Sequence, residues 1–535
     1  MADDLNRYIL QSMAYDILIK NGTLIDGSGN APVAGDIAVK GEEIVAIGNV
    51  GNVSAEITID STGKYVTPGF IDITNHSDTH LTLFKYPAQE SAVMQGITTI
   101  IGGNCGASLA PLGSKQAIHA IKKWVDPSEI NVNWATTGEF LEEIEKLQPA
   151  VNFGTFVGYG TLRRGVIGDE IRPLTLEEKD KVKFLLKEGV KEGAFGLSLG
   201  LAYGHERVST TEEIIEIAKV LPPGSIIKFH LRSEGADIIA SINEAVRIGR
   251  ETGISIQISH MKAIGKKSWH AFSKALNLIK QAKSTDLNIN FDVSPYHTTG
   301  SQLYLLIPGW ARYGGFEELF KHLDNAEERD NIIKSLQAST LHYDKILVTS
   351  AKIKNIVGKT IAEIAQIGGI SPEEALVETV RANEGRVSII GKTVSSKNTM
   401  RAVEDENSFI SSDGEGYSQD EVKSGNLAHP RSFGAFPHFW HRFVNDFKTL
   451  TPEMAIRKIT LGPAEKLGLK NRGLLKKGYF ADIAIFDLKL FRDRGTYRNP
   501  FRYPAGIEWV LVNGQVAVER GRPLGTRAGK ILRKT

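Results

Sequence analysis

A chain of 535 residues is too long for one simple core and points to two or three domains. Its 41% hydrophobic and 24% charged residues are those of an ordinary globular protein, and a formal net charge of +2, with both signs mixed along the chain, argues against a surface dedicated to nucleic acid or membrane. The single cysteine excludes an intrachain disulfide and fits a reducing cytoplasm.

The opening stretch, MADDLNRYILQSMAYDILIKNG, lacks the basic and then apolar layout of a signal peptide. No apolar run approaches the ~20 residues that span a bilayer, so a cytoplasmic location is expected. Met13 is an alternative start, because residues 1–12 carry no clear strand pattern. Residues 14–66 then read as β structure: AYDILIKNGTLIDGSG as two strands about an Asn21-Gly22 turn, DIAVKGEEIVAIG as two more about Gly41. The far end of the chain matches, with GYFADIAIFDL and IEWVLVNGQVAVERG broken at Asn513-Gly514. A small β-sandwich built from residues 14–66 and 470–535 is the expectation.

Between these ends an apolar strand followed by an amphipathic helix recurs. The strands are VTPGFIDIT, ITTIIGGN, NFGTFVGYG, AFGLSLGL, SIIKFHLR, ISIQISHM, LNINFDVSPY and FISSDGEG. Strand–helix alternation implies parallel pairing, and eight such units suggest a closed (β/α)₈ TIM-type barrel of the α/β class over 67–469. An open doubly wound sheet is the alternative, but it usually carries a glycine-rich phosphate loop after its first strand, which PGFIDITNHSD lacks. The stretch 298–400 is too long for one connection. About 300–355 reads as an insertion near the barrel mouth, and SPEEALVETVRAN as a returning barrel helix.

In such barrels the chemistry sits at the C-terminal strand ends. Those ends fall at His76, Cys105, Tyr203, His230 with Arg232, His260 with Lys262, Tyr296 and Asp413. A cysteine thiolate, imidazoles and a carboxylate are the usual protein ligands of zinc. Strand parity turns Lys228 and His230 one way, and Asp72, Thr74 and His76 one way. A lysine one layer below His230 needs a partner, and Asp72 is the candidate.

The motifs PGFID (68–72), GGNCG (102–106), GLSLGLAY (196–203), HLRSE (230–234), ISHMK (258–262), DVSPY (292–296), SSDG (411–414), HPRSFG (429–434) and PAEKLGL (463–469) occur together and in order. As a set the chain resembles the D-aminoacylase (N-acyl-D-amino-acid deacylase) family of the amidohydrolase superfamily. The resemblance implies a zinc held by Cys105, His230 and His260, with Asp413 as general base. It also implies the two-ended β-sandwich, the insertion after strand seven and a small N-acyl-D-amino-acid substrate. Where the family has His-x-His at the end of strand one, this chain has Thr74, Asn75 and His76. One zinc per chain is therefore expected. His76 becomes a fourth ligand, a group that orients a ligand, or a substrate contact; a shifted pairing of His76 with Asp78 or His80 is the less economical reading. Strand four holds no lysine to bridge two metals. Arg431, Lys262, Tyr203 and Tyr296 are candidates to hold the substrate, and Glu234 and Arg232 to orient ligands. Two alternatives stay open: hydrolysis of a cyclic amide or dipeptide-like substrate, and a non-catalytic binding protein on the same barrel.

Overall fold

The structure is a computed structural model that describes residues 15–534 apart from Asn52 and Thr340. Met13 lies outside the described residues. Short, almost wholly buried segments build a parallel barrel. Its strands are Phe70–Asp72 (β1), Ile97–Gly102 (β2), Asn152–Thr155 (β3), Gly196–Gly200 (β4), Ile226–His230 (β5), Ser255–Ile258 (β6), Ile289–Val293 (β7) and Ser408–Ile410 (β8). β1, β2 and β3 pair in order, and β4 to β8 pair in order, all parallel. The backbone closes the ring between β1 and β8, where His76 N donates to Gly414 O at 2.8 Å and Asp413 N to Thr74 O at 3.0 Å. The closure thus lies in the segments that carry His76 and Asp413.

Two of the outer helices begin on side chains that satisfy their free N–H groups. Thr175 and Glu178 form a capping box at the start of Leu176–Lys191, and Thr210 accepts from Glu213 N ahead of Thr211–Ala218. Caps of this kind contribute about 1 kcal/mol each. Among the described residues, no helix is long and apolar enough to cross a membrane.

Strands from both ends of the chain share one nine-stranded sheet, in which Tyr65–Pro68 pairs with Ile483–Phe486. Two local readings change here. Asn21-Gly22 is not a hairpin turn: Tyr15–Leu24 is one strand that runs through a bulge there, with Asn21 at φ 59°. Asn-Gly supplies positive φ to a bulge as readily as to a turn. Asn513-Gly514 does form the two-residue hairpin between Ile507–Val512 and Gln515–Glu519. The last residues leave the sheet altogether. Leu532 N donates to Phe153 O at 2.7 Å and Lys534 N to Gly193 O at 2.9 Å, so the tail lies against the barrel beside β3 and the entry to β4.

The insertion is longer than the 300–355 expected. Thr299–Gln302, Val387–Gly391 and Ile346–Ala351 form their own antiparallel sheet. Helices including Gly315–Asp324, Ala326–Gln337 and Pro372–Ala382 pack on it around a separate core containing Leu319, Ile332, Val348, Leu376 and Val380. SPEEALVETVRAN is therefore a helix of this insertion rather than of the barrel; its apolar face covers the small sheet.

Candidate metal centre and cavity

The ligand atoms of Cys105, His230 and His260 lie within 4.8 Å of one another at the ends of β2, β5 and β6. Cys105 Sγ is 3.3 Å from His260 Nε2, and the His230 and His260 rings meet edge to face at 4.7 Å. Burial alone would raise the thiol pKa, but the His260 and His230 imidazoles outweigh it and hold Cys105 well below its ordinary value. That favours the thiolate, which is the metal-binding form. Glu234 Oε1 sits 2.9 Å and Lys262 Nζ 2.8 Å from His260 Nδ1, so Nδ1 is engaged on one side of the ring while Nε2 faces the sulfur. This is the carboxylate–histidine arrangement that orients metal ligands. His230 Nδ1 is buried without a hydrogen-bond partner. An unpaired imidazole nitrogen beside a thiolate and a second oriented imidazole fits a borderline-soft cation such as zinc.

Three site residues share an uncommon backbone. Cys105, His260 and Asp413 have φ of 53°, 38° and 51°. Left-handed conformations cost a non-glycine residue of order 1 kcal/mol or more and cluster at functional sites. Here they turn the chain sharply where a strand ends. The Cys105 turn is braced on several sides: Asp78 Oδ2 accepts from Gly103 N at 2.7 Å, and Lys123 Nζ donates to Cys105 O at 2.9 Å. Asp78 thus braces this turn through Oδ2.

Asp413 faces the cluster from β8. Its Oδ1 is 3.3 Å from His76 Nε2, and its Oδ2 accepts from Arg431 Nη1 at 2.6 Å. Burial would raise its pKa, but Arg431, His260 and His76 hold it well below the usual carboxylate range. His76 Nε2 is also 3.8 Å from Cys105 Sγ. Burial works against charging it, yet the hydrogen bonds to Asp413 and Cys105 push its pKa up to about 10. It belongs to the base as much as to the ligand cluster. Thr74 is fully buried and its hydroxyl has no partner.

The remaining candidates divide. Lys262 lines the cavity, and its Nζ is 2.6 Å from Glu234 Oε1. Tyr203 also lines the cavity and packs on His230 at 4.9 Å between ring centres. Tyr296 does not reach the cavity. Its hydroxyl donates to Asp493 at 2.8 Å and its ring stacks on His438 at 4.1 Å. It lies beyond Val293, the last residue of β7, where strand parity no longer sets side-chain direction. Arg232 lines the cavity but is taken up by Glu244 at 2.8 Å. The Lys228–Asp72 ion pair is absent as well: Lys228 Nζ donates to the Ile73 carbonyl, and Asp72 is taken up by Ser412 N and Asn75 Nδ2, both at 2.9 Å. Residues that the sequence did not single out include Trp124, which covers His76 at 5.2 Å and His80 at 5.4 Å, and Arg207 and Arg312. They sit on an irregular loop, a one-turn helix after β4 and the insertion, where no spacing marks them.

All this opens into a cavity of about 1330 Å³ that Thr299, Gln302 and Thr349 of the insertion help to wall.

Comparison with known proteins gives the same picture. A sequence model described as "Amidohydrolase family" matches residues 426–518. D-aminoacylase of Alcaligenes xylosoxydans xylosoxydans is 30% identical over 98% of this chain and 99% of its own. N-acyl-D-aspartate deacylase of the same organism is 31% identical over 97% of this chain and 95% of its own. The crystal structure of N-acyl-D-glutamate deacylase from Bordetella bronchiseptica, complexed with zinc and a phosphonate mimic of the tetrahedral intermediate, superposes with a TM-score of 0.82 at 27% identity. That match covers 97% of this chain and 100% of the other.

Proposed function

The chain belongs to the D-aminoacylase family of the amidohydrolases, and from that premise we propose that it hydrolyses the amide bond of N-acyl-D-amino acids, releasing a carboxylate and a D-amino acid. The observation that carries the reading is the convergence of Cys105, His230 and His260 opposite an ionised Asp413 in one buried cavity. Those three side chains would hold one zinc, which when bound supplies Lewis-acid activation of water and of the scissile carbonyl.

The rest falls to the chain's own groups. Asp413, kept anionic by Arg431 and His76, takes the proton of the attacking water and returns it to the departing nitrogen. Glu234 and Lys262 hold the His260 ring at Nδ1, which keeps Nε2 turned toward the cluster. Lys262 and Arg431 present cations to the carboxylate of the amino-acid half, and Tyr203 closes the wall behind His230. Trp124 covers the His76 side and excludes water. The preference for the D-enantiomer follows from the family.

The test is metal content per chain, in wild type and Cys105→Ala, with turnover of paired N-acetyl-D- and N-acetyl-L-amino acids. About one zinc, lost together with D-selective turnover in the variant, is the expected result. Turnover of a ring amide in place of the open-chain substrates would assign a different amidohydrolase reaction, and a metal-free, inactive wild type would make it a binding protein.

A further inference from the structure

Five arginines line the cavity. Arg431 pairs with Asp413, Arg232 with Glu244 and Arg386 with Asp126. Among the described residues, Arg207 and Arg312 have no carboxylate within ion-pair reach. Arg207 Nη1 donates to Arg232 O at 3.1 Å and Nη2 to the Tyr313 hydroxyl at 3.2 Å. Arg312 Nε donates to Ile307 O at 2.8 Å. Both guanidiniums are thus fixed by neutral partners.

The two come from different parts of the chain. Arg207 ends the short helix Gly204–Arg207 after β4, and Arg312 ends Gly309–Arg312 in the insertion. The segments abut: a Cβ on Gly204 would lie 3.7 Å from Arg312 O and 3.4 Å from Gly315 N. Tyr313, next to Arg312, packs its ring 5.0 Å from the Arg207 guanidinium carbon. Burial and the charge of Arg207 both push the pKa of Arg312 down. Two like charges held side by side, partly out of water, are unfavourable unless an anion joins them. The described residues bring no such anion within ion-pair reach, and the wall faces the substrate cavity. A guanidinium fork is the side chain best matched to a carboxylate.

We propose that Arg207 and Arg312 form a subsite for a second carboxylate on the substrate. The preferred substrates are then dianions, with the α-carboxylate at Lys262 and Arg431 and another carboxylate at the insertion. The second carboxylate comes either from the side chain of an acidic D-amino acid or from a dicarboxylic acyl group. A cavity of about 1330 Å³ has room for either. The proposal rests on the deacylase reading above and specifies its substrate class.

The zinc-loaded protein is assayed with N-acetyl-D-glutamate, N-acetyl-D-aspartate, the uncharged isostere N-acetyl-D-glutamine, N-acetyl-D-leucine and N-succinyl-D-leucine. The expected result is a kcat/KM for one dianionic class at least about thirtyfold above its neutral counterpart, which is about 2 kcal/mol. Glutamate or aspartate leading places the carboxylate on the side chain; N-succinyl-D-leucine leading places it on the acyl group. In Arg312→Met and in Arg207→Met, made separately, that ratio collapses toward one, mainly through KM, and Arg312→Lys restores part of it. Equal turnover of charged and neutral substrates, or a ratio that survives both methionine variants, overturns the subsite and leaves the deacylase reading standing. If no substrate is turned over, calorimetry with N-acetyl-D-glutamate, N-acetyl-D-glutamine, N-succinyl-D-leucine and N-acetyl-D-leucine decides. A dianion preference that Arg312→Met abolishes keeps the subsite while the reaction falls; equal binding of charged and neutral members overturns it.

Discussion

Asp413→Asn keeps the size of the side chain and its left-handed backbone, which asparagine tolerates. It removes the charge that His76 and Arg431 share. Steady-state assays of the variant should show kcat reduced by about 10²–10⁴-fold, with zinc content near that of wild type. Loss of the metal instead would make Asp413 a ligand rather than a base. At this scale the sequence showed which residue types end which strands, because a buried parallel strand is a largely apolar run and a metal-capable or acidic residue at or just past its end stands out. Cys105, His230, His260 and Asp413 were all legible in that way. Tyr296 stood at the same offset past its strand as Cys105 and Asp413, but its side chain turns to Asp493, which the sequence did not mark. Lys228 was half legible: parity turned it inward, but the acceptor is a backbone carbonyl, and no residue type advertises that.

The helix Gly204–Arg207 carries a second buried group. His205 is 2% exposed, its Nε2–H donates to Gly168 O at 3.0 Å, and its Nδ1 has no partner. Burial, with Arg164 and Arg163 nearby, lowers its pKa to about 3. A histidine whose folded pKa lies below the unfolded value stabilises the fold above about pH 6.5 and loses that contribution as pH falls toward 3. Denaturation at stepped pH should therefore show wild type losing a few kcal/mol across that window. His205→Gln, which keeps the donor to Gly168, should lose less. A second test concerns the motif PAEKLGL. Lys466 Nζ donates to Ile256 O at 2.8 Å and Ser255 Oγ at 2.7 Å at the start of β6, and to Asn288 O at 3.2 Å just ahead of β7. Lys466→Met leaves buried carbonyls unpaired and should cost about 2–4 kcal/mol in urea unfolding, with kcat on the remaining folded protein little changed. Elements were legible where the repeating period was strong, as in the capped helix Leu176–Lys191. The extent of the insertion was not, because its helices and strands have the same periods as those of the barrel. Only the tertiary pairing of Thr299–Gln302 with Val387–Gly391 marks its two ends.

For the whole molecule, the tail and the two-ended sheet are the features that matter. Truncation after Ala528 removes the backbone bonds of Lys530, Leu532 and Lys534 to the barrel. The thermal midpoint should fall by about 3 °C, since about 1 kcal/mol per lost bond is a little under one degree in a chain of this size, while zinc content at low temperature should hold. An unchanged midpoint would show the tail to be a passive strap. The shared sheet has a consequence in time. Tyr65–Pro68 needs Ile483–Phe486 as a neighbour, and more than four hundred residues separate them. At roughly 5–20 residues per second of synthesis, the first strands off the ribosome wait tens of seconds with that edge open. The β layer, with the tail that follows it, is thus completed last, and the nascent chain, rather than the finished enzyme, is where a chaperone has most to protect.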